Sequence, residues 1–210
     1  SEVNEKINLN VINYFNSLLI LVKENRIDGI NNITPSYNKL IISFDLSVTN
    51  YAKIKKIILN LNINKDFIND YKKIEIPICC NDEFGLDFNR LSNKTKLTKE
   101  AILKLYLNKE YFCYMTGFIA GMPFLGDINK KIRCDRLETP RVTVPKGSVG
   151  ITEQFANIYT FESPGGWNII GNTPKKIFDR LNLEEPMLIK PGNKVSFYQI
   201  SKEEYLDWNE

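Results

Sequence analysis

The chain has 210 residues, and its 28 basic and 25 acidic side chains give a formal net charge of +3. Its size and its ordinary share of apolar (43%) and charged (25%) residues predict a globular protein with one large or two small domains. The sequence contains no histidine, which excludes a Ser-His-Asp triad, a Cys-His pair and a histidine metal site. The weak basic charge argues against a nucleic-acid partner.

The first third of the chain carries the patterns of two helices and two strands. Apolar residues recur at helical spacing from Ile7 to Val22, which predicts an amphipathic helix. Strands are predicted at Ile30–Ile33 and Leu40–Phe44, joined by a turn at Thr34–Lys39, and a second helix at Ile54–Leu61. This order predicts a small α+β sandwich. Its paired strands need another neighbour, so we expect a leading strand ahead of the first helix.

Glycine and proline mark a change of architecture. Ten of the eleven glycines and eight of the nine prolines follow residue 76, so long regular elements give way to short strands and turns. We therefore predict an N-terminal α+β domain at residues 1–73 and a second domain at residues 74–210. Limited contact across such a boundary would make it sensitive to proteases.

Short strands dominate the predicted second domain. A strand is predicted at Ile74–Ile78, followed by a helix that Thr98 caps and that ends near Leu107. After Phe112, short apolar runs alternate with glycine and proline and end in a strand at Lys194–Ile200. This spacing predicts a closed β-barrel or a sandwich.

Cysteine usage indicates a reducing compartment. The four cysteines, Cys79, Cys80, Cys113 and Cys134, form no C-x-x-C pair, so we expect reduced structural thiols and neither a zinc ribbon nor a redox motif. The longest apolar run, Leu18–Val22, is far shorter than the ~20 residues of a membrane span. We expect a cytoplasmic protein with no metal site and no membrane partner.

Three segments stand out in the second domain: Gly117–Gly126, which interleaves glycines with aromatic residues, Thr139–Val149, a strand between prolines, and Glu162–Pro174, a Gly-Gly turn. Each segment taken alone is typical of a hairpin turn. Walker, Rossmann and nucleophile-elbow motifs are absent.

Together, these segments resemble one family. Its pattern is G-F-x-P-G-F-P-Y-L-G, then P-R-R-x-x-P-R-x-x-V-P-x-G-S-V, then I-Y-x-x-x-S-P-G-G-W-x-x-I-G-R-T-P. The match runs without gaps from Phe118 to Pro174, and the Phe84–Asp87 segment extends it. On these motifs the chain is identified as a member of the family of the B-type subunit of 5-oxoprolinase and the sporulation inhibitor KipI, formerly labelled allophanate hydrolase subunit 1.

The resemblance implies a fold, an activity and partners. The fold is an N-terminal α/β domain followed by a cyclophilin-like β-barrel. The activity is ATP-dependent opening of the 5-oxoproline lactam to glutamate. It is performed together with the C-type subunit of 5-oxoprolinase (formerly subunit 2) and a third subunit, with no ATP site identifiable in this chain. The alternative from another class is a KipI-like inhibitor that binds a sensor histidine kinase and performs no chemistry.

Several positions depart from the family pattern. Tyr106 aligns with a helix histidine, Ala120 with a proline, Leu137 with an arginine and Asn172 with an arginine, and Phe155-Ala156-Asn157 aligns with Gln-Thr-Gly. Most of these changes remove polar or basic groups. They leave open a different substrate or a loss of activity.

No catalytic residue can be named, but the motifs supply candidate substrate-binding residues. These candidates are Phe118, Pro123, Arg136, Arg141, Ser148, Ser163, Gly165, Gly166 and Trp167. An arginine fork suits a carboxylate or phosphate; for Arg141 a structural ion pair is equally compatible, and for Arg136 it is favoured. Ser148 is more typical of a strand hydroxyl, since without histidine it has no activating base, and Ser163 is more typical of a turn cap for the Pro-Gly-Gly segment. Because prolines flank its strand, Arg141 is predicted to face a pocket bordered by Gly165, Gly166 and Trp167.

Overall fold

The computed structural model describes residues 2–24, 27–60 and 72–209. The chain forms two compact units, residues 1–71 and 72–210. Tyr71, at the edge of the boundary region predicted from composition, lies outside the described residues. In the described ranges, no helix combines the length and the apolar character that crossing a lipid bilayer requires.

Two helices and a hairpin make up the first unit. Its elements are α1 (Glu2–Lys23), β1 (Ile30–Ser36), β2 (Lys39–Phe44) and α2 (Tyr51–Leu59). The strands are antiparallel, and Leu18 of α1, Ile33 of β1 and Ile54 of α2 are buried in one apolar cluster. Burial of one helix face therefore stabilises the hairpin, which a two-stranded sheet cannot do alone.

The hairpin turn is shorter than predicted. Pro35 and Ser36 still pair with β2, so the predicted turn at Thr34–Lys39 is wrong at its first three residues and its last. Proline is tolerated because each strand of a two-stranded sheet has a free edge that needs no donor. The predicted end of the second helix, Leu61, lies outside the described residues.

A barrel dominates the second unit. Its elements in chain order are β3 (Lys73–Cys79), α3 (Phe88–Thr95), α4 (Lys99–Leu107), β4 (Tyr111–Thr116), β5 (Pro123–Gly126), β6 (Arg141–Val144), β7 (Ser148–Thr152), β8 (Phe155–Ile158), β9 (Ser163–Gly165), β10 (Asn168–Asn172), β11 (Lys194–Ile200) and α5 (Lys202–Leu206). The closed barrel has the strand order β10, β3, β11, β4, β5, β8, β7. Only β3 and β11 are parallel neighbours among the described strands. The predicted α+β class with a barrel is confirmed.

The barrel encloses the larger core. Buried members from its strands include Ile76, Ile78, Val149, Ile151 and Phe197. β6 and β9 form a separate antiparallel pair that takes no part in the closed barrel. The chain thus leaves the barrel wall twice, between β5 and β7 and again between β8 and β10, and these two segments meet in the β6–β9 pair beside the candidate site.

Helix α3 has no counterpart among the predicted elements. Its eight residues are mostly polar, and only Phe88 and Leu91 are buried, so no apolar period is visible. Asp87 precedes the helix, and its backbone N–H donates to the Ile169 carbonyl at 3.0 Å. This bond fixes the start of α3 against β10. By contrast, α4 confirms the predicted helix that Thr98 caps.

Candidate functional site

The pair of β6 and β9 brings two of the recognised motifs together. Arg141 of β6 lies opposite Gly165 of β9, and Val144 lies opposite Ser163. Next to this pair, the backbone N–H of Leu137 donates to the carbonyl of Gly166 at 2.7 Å. The segment that carries Arg136 therefore runs beside the Gly-Gly turn.

A cavity of about 410 Å³ opens beside this pair. The residues that line it are Phe118, Met122, Phe124, Arg136, Pro140, Thr152, Glu153, Phe155, Tyr159, Pro164, Gly165 and Trp167. Its volume is that of a small-molecule site. Four of the predicted binding residues contribute to it: Phe118, Arg136, Gly165 and Trp167.

Aromatic side chains form most of the cavity wall. The ring of Phe124 meets the ring of Trp167 edge to face, with centroids 5.6 Å apart, and meets Phe155 in the same way at 6.3 Å. Phe118 is 68% exposed and has a φ of +71°, a conformation that costs a non-glycine residue free energy and recurs at ligand-contact positions. These rings offer an apolar surface to a small ring-shaped ligand.

Arg136 and Glu153 give the cavity two opposite charges. Both side chains are exposed, and both line the cavity. Within residues 2–24, 27–60 and 72–209, neither belongs to an ion pair. The guanidinium of Arg136 is therefore available to a carboxylate, which it matches in shape and charge.

Arg90 of α3 holds the segment that carries Arg136. Its Nη1 donates to Cys134 Sγ at 3.0 Å, to the carbonyl of Asp135 at 3.1 Å and to Oδ1 of Asn168. Its Nη2 donates to Asp135 Oδ1 and to the carbonyl of Arg136, both at 3.2 Å. The planar guanidinium thus makes five contacts through its fork of donors. We call Arg90 with residues 134–136 the Arg90 clamp.

Arg141 is committed to an ion pair. Its Nη2 lies 2.6 Å from Oδ1 of Asp87, and the two side chains are 27% and 6% exposed. Oδ2 of Asp87 also accepts from the backbone N–H of Ile169 at 2.6 Å. Asp87 does not cap α3 with its side chain, because both oxygens are used in this link between β6 and β10.

This pair corrects the prediction for Arg141. The guanidinium was expected to be free for an acidic ligand, but Asp87 neutralises it, and Arg141 is not among the residues that line the cavity. The structural ion pair that the sequence left open is what the structure shows. Nη1 of Arg141 is buried without a hydrogen-bond partner among the described residues. Arg141 therefore depends on Asp87 to compensate its charge.

The lack of a side chain at Gly165 makes room for Tyr159. A Cβ on Gly165 would overlap the Tyr159 hydroxyl and would lie 2.8 Å from Cζ of the same ring. Burial raises the pKa of Tyr159, although the Asn157 side chain and the nearby guanidinium of Arg136 act in the opposite direction. Tyr159 therefore presents a neutral hydroxyl at the cavity, next to Gly165.

The remaining predicted binding residues lie elsewhere. Ser148 is buried in β7 of the barrel, Pro123 is buried at the start of β5, and Ser163 lies in β9. None of the three lines the cavity. Gly166 lies beside Arg136, since a Cβ there would be 3.7 Å from Arg136 Nε, but it does not line the cavity either. These four assignments to a binding site stay predictions.

Some departures from the family pattern have structural roles. Asn172 donates to the carbonyl of Lys146 at 2.9 Å and accepts from the hydroxyl of Tyr205 at 3.0 Å. Tyr106 is fully buried, and its carbonyl accepts from the Tyr111 hydroxyl at 2.6 Å. Phe155, in contrast, lines the cavity and makes its wall more apolar than the glutamine of the family pattern would.

Two other cavities offer less to an acidic ligand. One of about 540 Å³ is lined by Lys99 and Lys104 but also by the acidic residues Asp82 and Glu100, and the Lys99 ammonium group is 2.6 Å from Asp82. Cys80 also lines it, and burial raises the pKa of this thiol to about 12, so it stays protonated. The other cavity, of about 190 Å³, contains Lys146 and Lys175 and has less than half the volume of the one at Arg136.

Four important residues were not found from the sequence: Asp87, Arg90, Glu153 and Tyr159. Asp87 and Tyr159 belong to matched motifs. The motifs identify these two positions as part of the family pattern but do not indicate what the side chains do. Glu153 and Arg90 carry no motif. Their roles depend on contacts with residues far along the chain, which a single sequence does not reveal.

Comparisons with known proteins agree with the motifs. The family model for the carboxyltransferase domain, subdomains C and D, matches residues 1–189. The B-type subunit of the Bacillus subtilis 5-oxoprolinase is 29% identical over 221 residues, covering all of this chain and 90% of that protein. The B-type subunit of the Haemophilus influenzae 5-oxoprolinase is 40% identical over 126 residues, covering 60% of this chain and 59% of that protein.

The crystal structure of TTHA0988 superposes with a TM-score of 0.80 at 26% identity, covering 92% of this chain and 37% of that chain. The predicted resemblance is confirmed.

Proposed function

The chain belongs to the carboxyltransferase-domain family, subdomains C and D, and from this premise we propose that it is a subunit of an ATP-dependent 5-oxoprolinase-type amidohydrolase. The reaction opens the lactam of 5-oxoproline to glutamate. The chain acts with the C-type subunit and a third subunit, and ATP is bound elsewhere in the complex. Relatives named as B-type subunits of 5-oxoprolinase support this proposal.

The observation that carries the proposal is that Arg136 lines an aromatic cavity and has no ion-pair partner in the described part of the chain. 5-Oxoproline is a five-membered ring with one carboxylate. The carboxylate fits the guanidinium, which can donate two parallel hydrogen bonds, and the ring fits the surfaces of Phe124 and Trp167. The cavity therefore binds and orients the acid.

The chain contributes binding rather than bond breaking. It has no histidine, and the cysteine thiols Cys80 and Cys113 are buried groups whose pKa burial raises. A buried neutral thiol is a poor nucleophile. We therefore expect the purified chain alone to show no ATP-dependent turnover of 5-oxoproline.

Reconstitution tests the function. The chain is co-expressed with the C-type subunit and the third subunit from the same organism, and release of glutamate from 5-oxoproline and ATP is measured. We expect turnover with the unaltered chain and a loss of about tenfold or more with Arg136→Met, because a charge-assisted pair is lost. Lys130→Met, at an exposed site outside the cavity, is the control. Turnover that Arg136→Met leaves unchanged would contradict the proposed site.

A second candidate function rests on Phe155. This side chain lines the cavity at a position where the family pattern has a polar residue, which favours a copy that binds without catalysis. The alternative is a KipI-like inhibitor of a sensor histidine kinase. Its test is kinase autophosphorylation with and without the chain: inhibition with no turnover in the reconstituted complex would support this alternative.

We also propose that the complex works in the cytoplasm. All four cysteines are buried and unbridged in the structure, which fits a reducing compartment. Labelling of thiols in the denatured protein, freshly isolated with an alkylating block, would show four free thiols. Fewer than four would contradict this location.

A further inference from the structure

Glu153 occupies a fixed turn at the edge of the candidate cavity. The turn joins β7 to β8, and Glu153 has a φ of +44°, an uncommon conformation for a residue with a side chain. Two backbone hydrogen bonds hold the turn: Glu153 N–H donates to the Cys134 carbonyl at 2.7 Å, and Ile128 N–H donates to the Gln154 carbonyl at 2.8 Å. The backbone of Glu153 is thus held in place at the edge of the cavity that its side chain lines.

The hydrogen bond to the Cys134 carbonyl joins the turn of Glu153 to the segment that carries Arg136. The Cys134 carbonyl that accepts from Glu153 also accepts from Thr152 Oγ1 at 3.3 Å. Cys134 lies two residues before Arg136 in the Arg90 clamp, and Arg90 donates hydrogen bonds to both residues. The acidic and the basic side chain are therefore carried by two segments that are hydrogen-bonded to each other, and both line one cavity of about 410 Å³.

Arg136 and Glu153 line one small cavity and are not paired with each other. This arrangement favours a ligand that carries a partner for each of the two charges. Within the described part of the chain, neither side chain is in an ion pair. A carboxylate on the ligand satisfies Arg136, and only a hydrogen-bond donor satisfies Glu153, because an ionised carboxylate accepts hydrogen bonds and donates none. Desolvating Glu153 without such a donor disfavours binding.

We propose that Glu153 accepts the ring N–H of the ligand whose carboxylate binds Arg136, so the cavity selects small ring acids that also carry an N–H. This inference rests on the proposed function, because it takes Arg136 as the carboxylate site. It adds a specificity-determining residue to that site. A ring acid of the same size with no nitrogen fills the aromatic part of the cavity and leaves Glu153 without a donor.

Two matched acids test the inference. 5-Oxoproline has a ring N–H, a ring carbonyl and a carboxylate, and 3-oxocyclopentanecarboxylate keeps the carbonyl and the carboxylate but has CH2 in place of N–H. Dissociation constants for both are measured with the full chain by NMR titration. We expect the unaltered chain to bind 5-oxoproline about tenfold or more tightly than 3-oxocyclopentanecarboxylate, as for one hydrogen bond to a charged group.

Variants assign that preference to Glu153. Glu153→Met removes the acceptor and keeps the length of the side chain, so we expect 5-oxoproline to lose about tenfold in affinity and 3-oxocyclopentanecarboxylate to lose little or to gain. Glu153→Gln keeps an acceptor oxygen and retains part of the preference. Glu162→Met is the control, since Glu162 is an exposed acid that does not line the cavity. Thermal melting checks that each variant is folded.

The outcomes separate this inference from the proposed function. If both acids bind, depend on Arg136 and are not distinguished, or if Glu153→Met keeps the preference, the role of Glu153 is overturned and the acid site stands. If neither acid binds, or if binding is unaffected by Arg136→Met, the acid site and the role of Glu153 are both overturned.

Discussion

Two arginines five residues apart in the same motif have different roles. Arg141 is bound to Asp87 at 2.6 Å and links β6 to the start of α3. Arg136 has no acidic partner in the described ranges and lines the cavity. The start of helix α3 anchors both, through Asp87 just before the helix for one and Arg90 of the helix for the other. The comparison shows that the motif supplies the two charges, and a polar helix elsewhere decides which charge is left for a ligand.

The largest expected effect comes from removing the partner of Arg141. Asp87→Ala leaves the Arg141 guanidinium and the Ile169 N–H without their acceptor. Loss of one member of a buried pair costs about 3–5 kcal/mol, so we expect the free energy of unfolding in urea to fall by that amount.

A matched control for this change is Asp82→Ala. Asp82 also pairs with a basic group at 2.6 Å, but it is 97% exposed, so solvent screens the pair and its loss should leave the free energy of unfolding nearly unchanged. Equal effects of the two substitutions would show that the Asp87–Arg141 pair does not stabilise the fold, and the contrast between the two arginines would then be lost.

The two glycines of the turn between β9 and β10 should respond differently to alanine. Gly165→Ala places a methyl group against the Tyr159 ring, and overpacking of this kind costs about 1–3 kcal/mol. Gly166→Ala meets nothing closer than Pro140 Cγ at 3.5 Å, so we expect a change within about 0.5 kcal/mol. Urea unfolding of both variants checks this. A larger effect at Gly166 would contradict the packing of the turn.

A smaller loss of stability is expected from Arg90→Lys, with an added effect on binding. A lysine keeps the charge but cannot make the contacts of the fork, so we expect about 1–2 kcal/mol less stability. Because residues 134–136 lose their anchor, 5-oxoproline affinity should also fall by roughly 3- to 10-fold. Lys94→Met is the control, since Lys94 contacts the exposed carboxylate of Asp135 at 3.6 Å. If Arg90→Lys binds 5-oxoproline as tightly as the unaltered chain does, Arg90 stabilises the fold but has no role in binding.

Much of the fold was predictable because its signals are local. Glycine and proline spacing and the matched motifs predicted the barrel, and the Thr98 cap predicted α4. Helix α3 was missed because its buried face consists of Phe88 and Leu91 alone. The domain boundary at residue 73 stays a prediction, and limited proteolysis tests it by releasing a C-terminal fragment of about 130 residues.

A residue of the candidate site could be predicted only where a single motif is enough to identify it. Phe118, Arg136, Gly165 and Trp167 line the cavity, and all lie in motif segments. The partner of Arg141 could not be predicted, because Asp87 lies 54 residues away along the chain. Glu153 was missed because it lies in a hairpin turn outside the matched motifs, and its turn is placed at the cavity by hydrogen bonds to distant parts of the chain, such as the one to the Cys134 carbonyl.

The most direct test of the two arginine roles compares Arg136→Met with Arg141→Met in one experiment that measures both 5-oxoproline affinity and urea stability. We predict that Arg136→Met loses about tenfold or more in affinity and keeps its free energy of unfolding within about 0.5 kcal/mol. Arg141→Met should instead lose about 3 kcal/mol of stability, at the low end for a broken buried pair because Asp87 keeps the Ile169 N–H, and should bind the acid nearly as well as the unaltered chain. The opposite pattern, with affinity lost at Arg141 and stability lost at Arg136, would contradict the assignment of the two arginines.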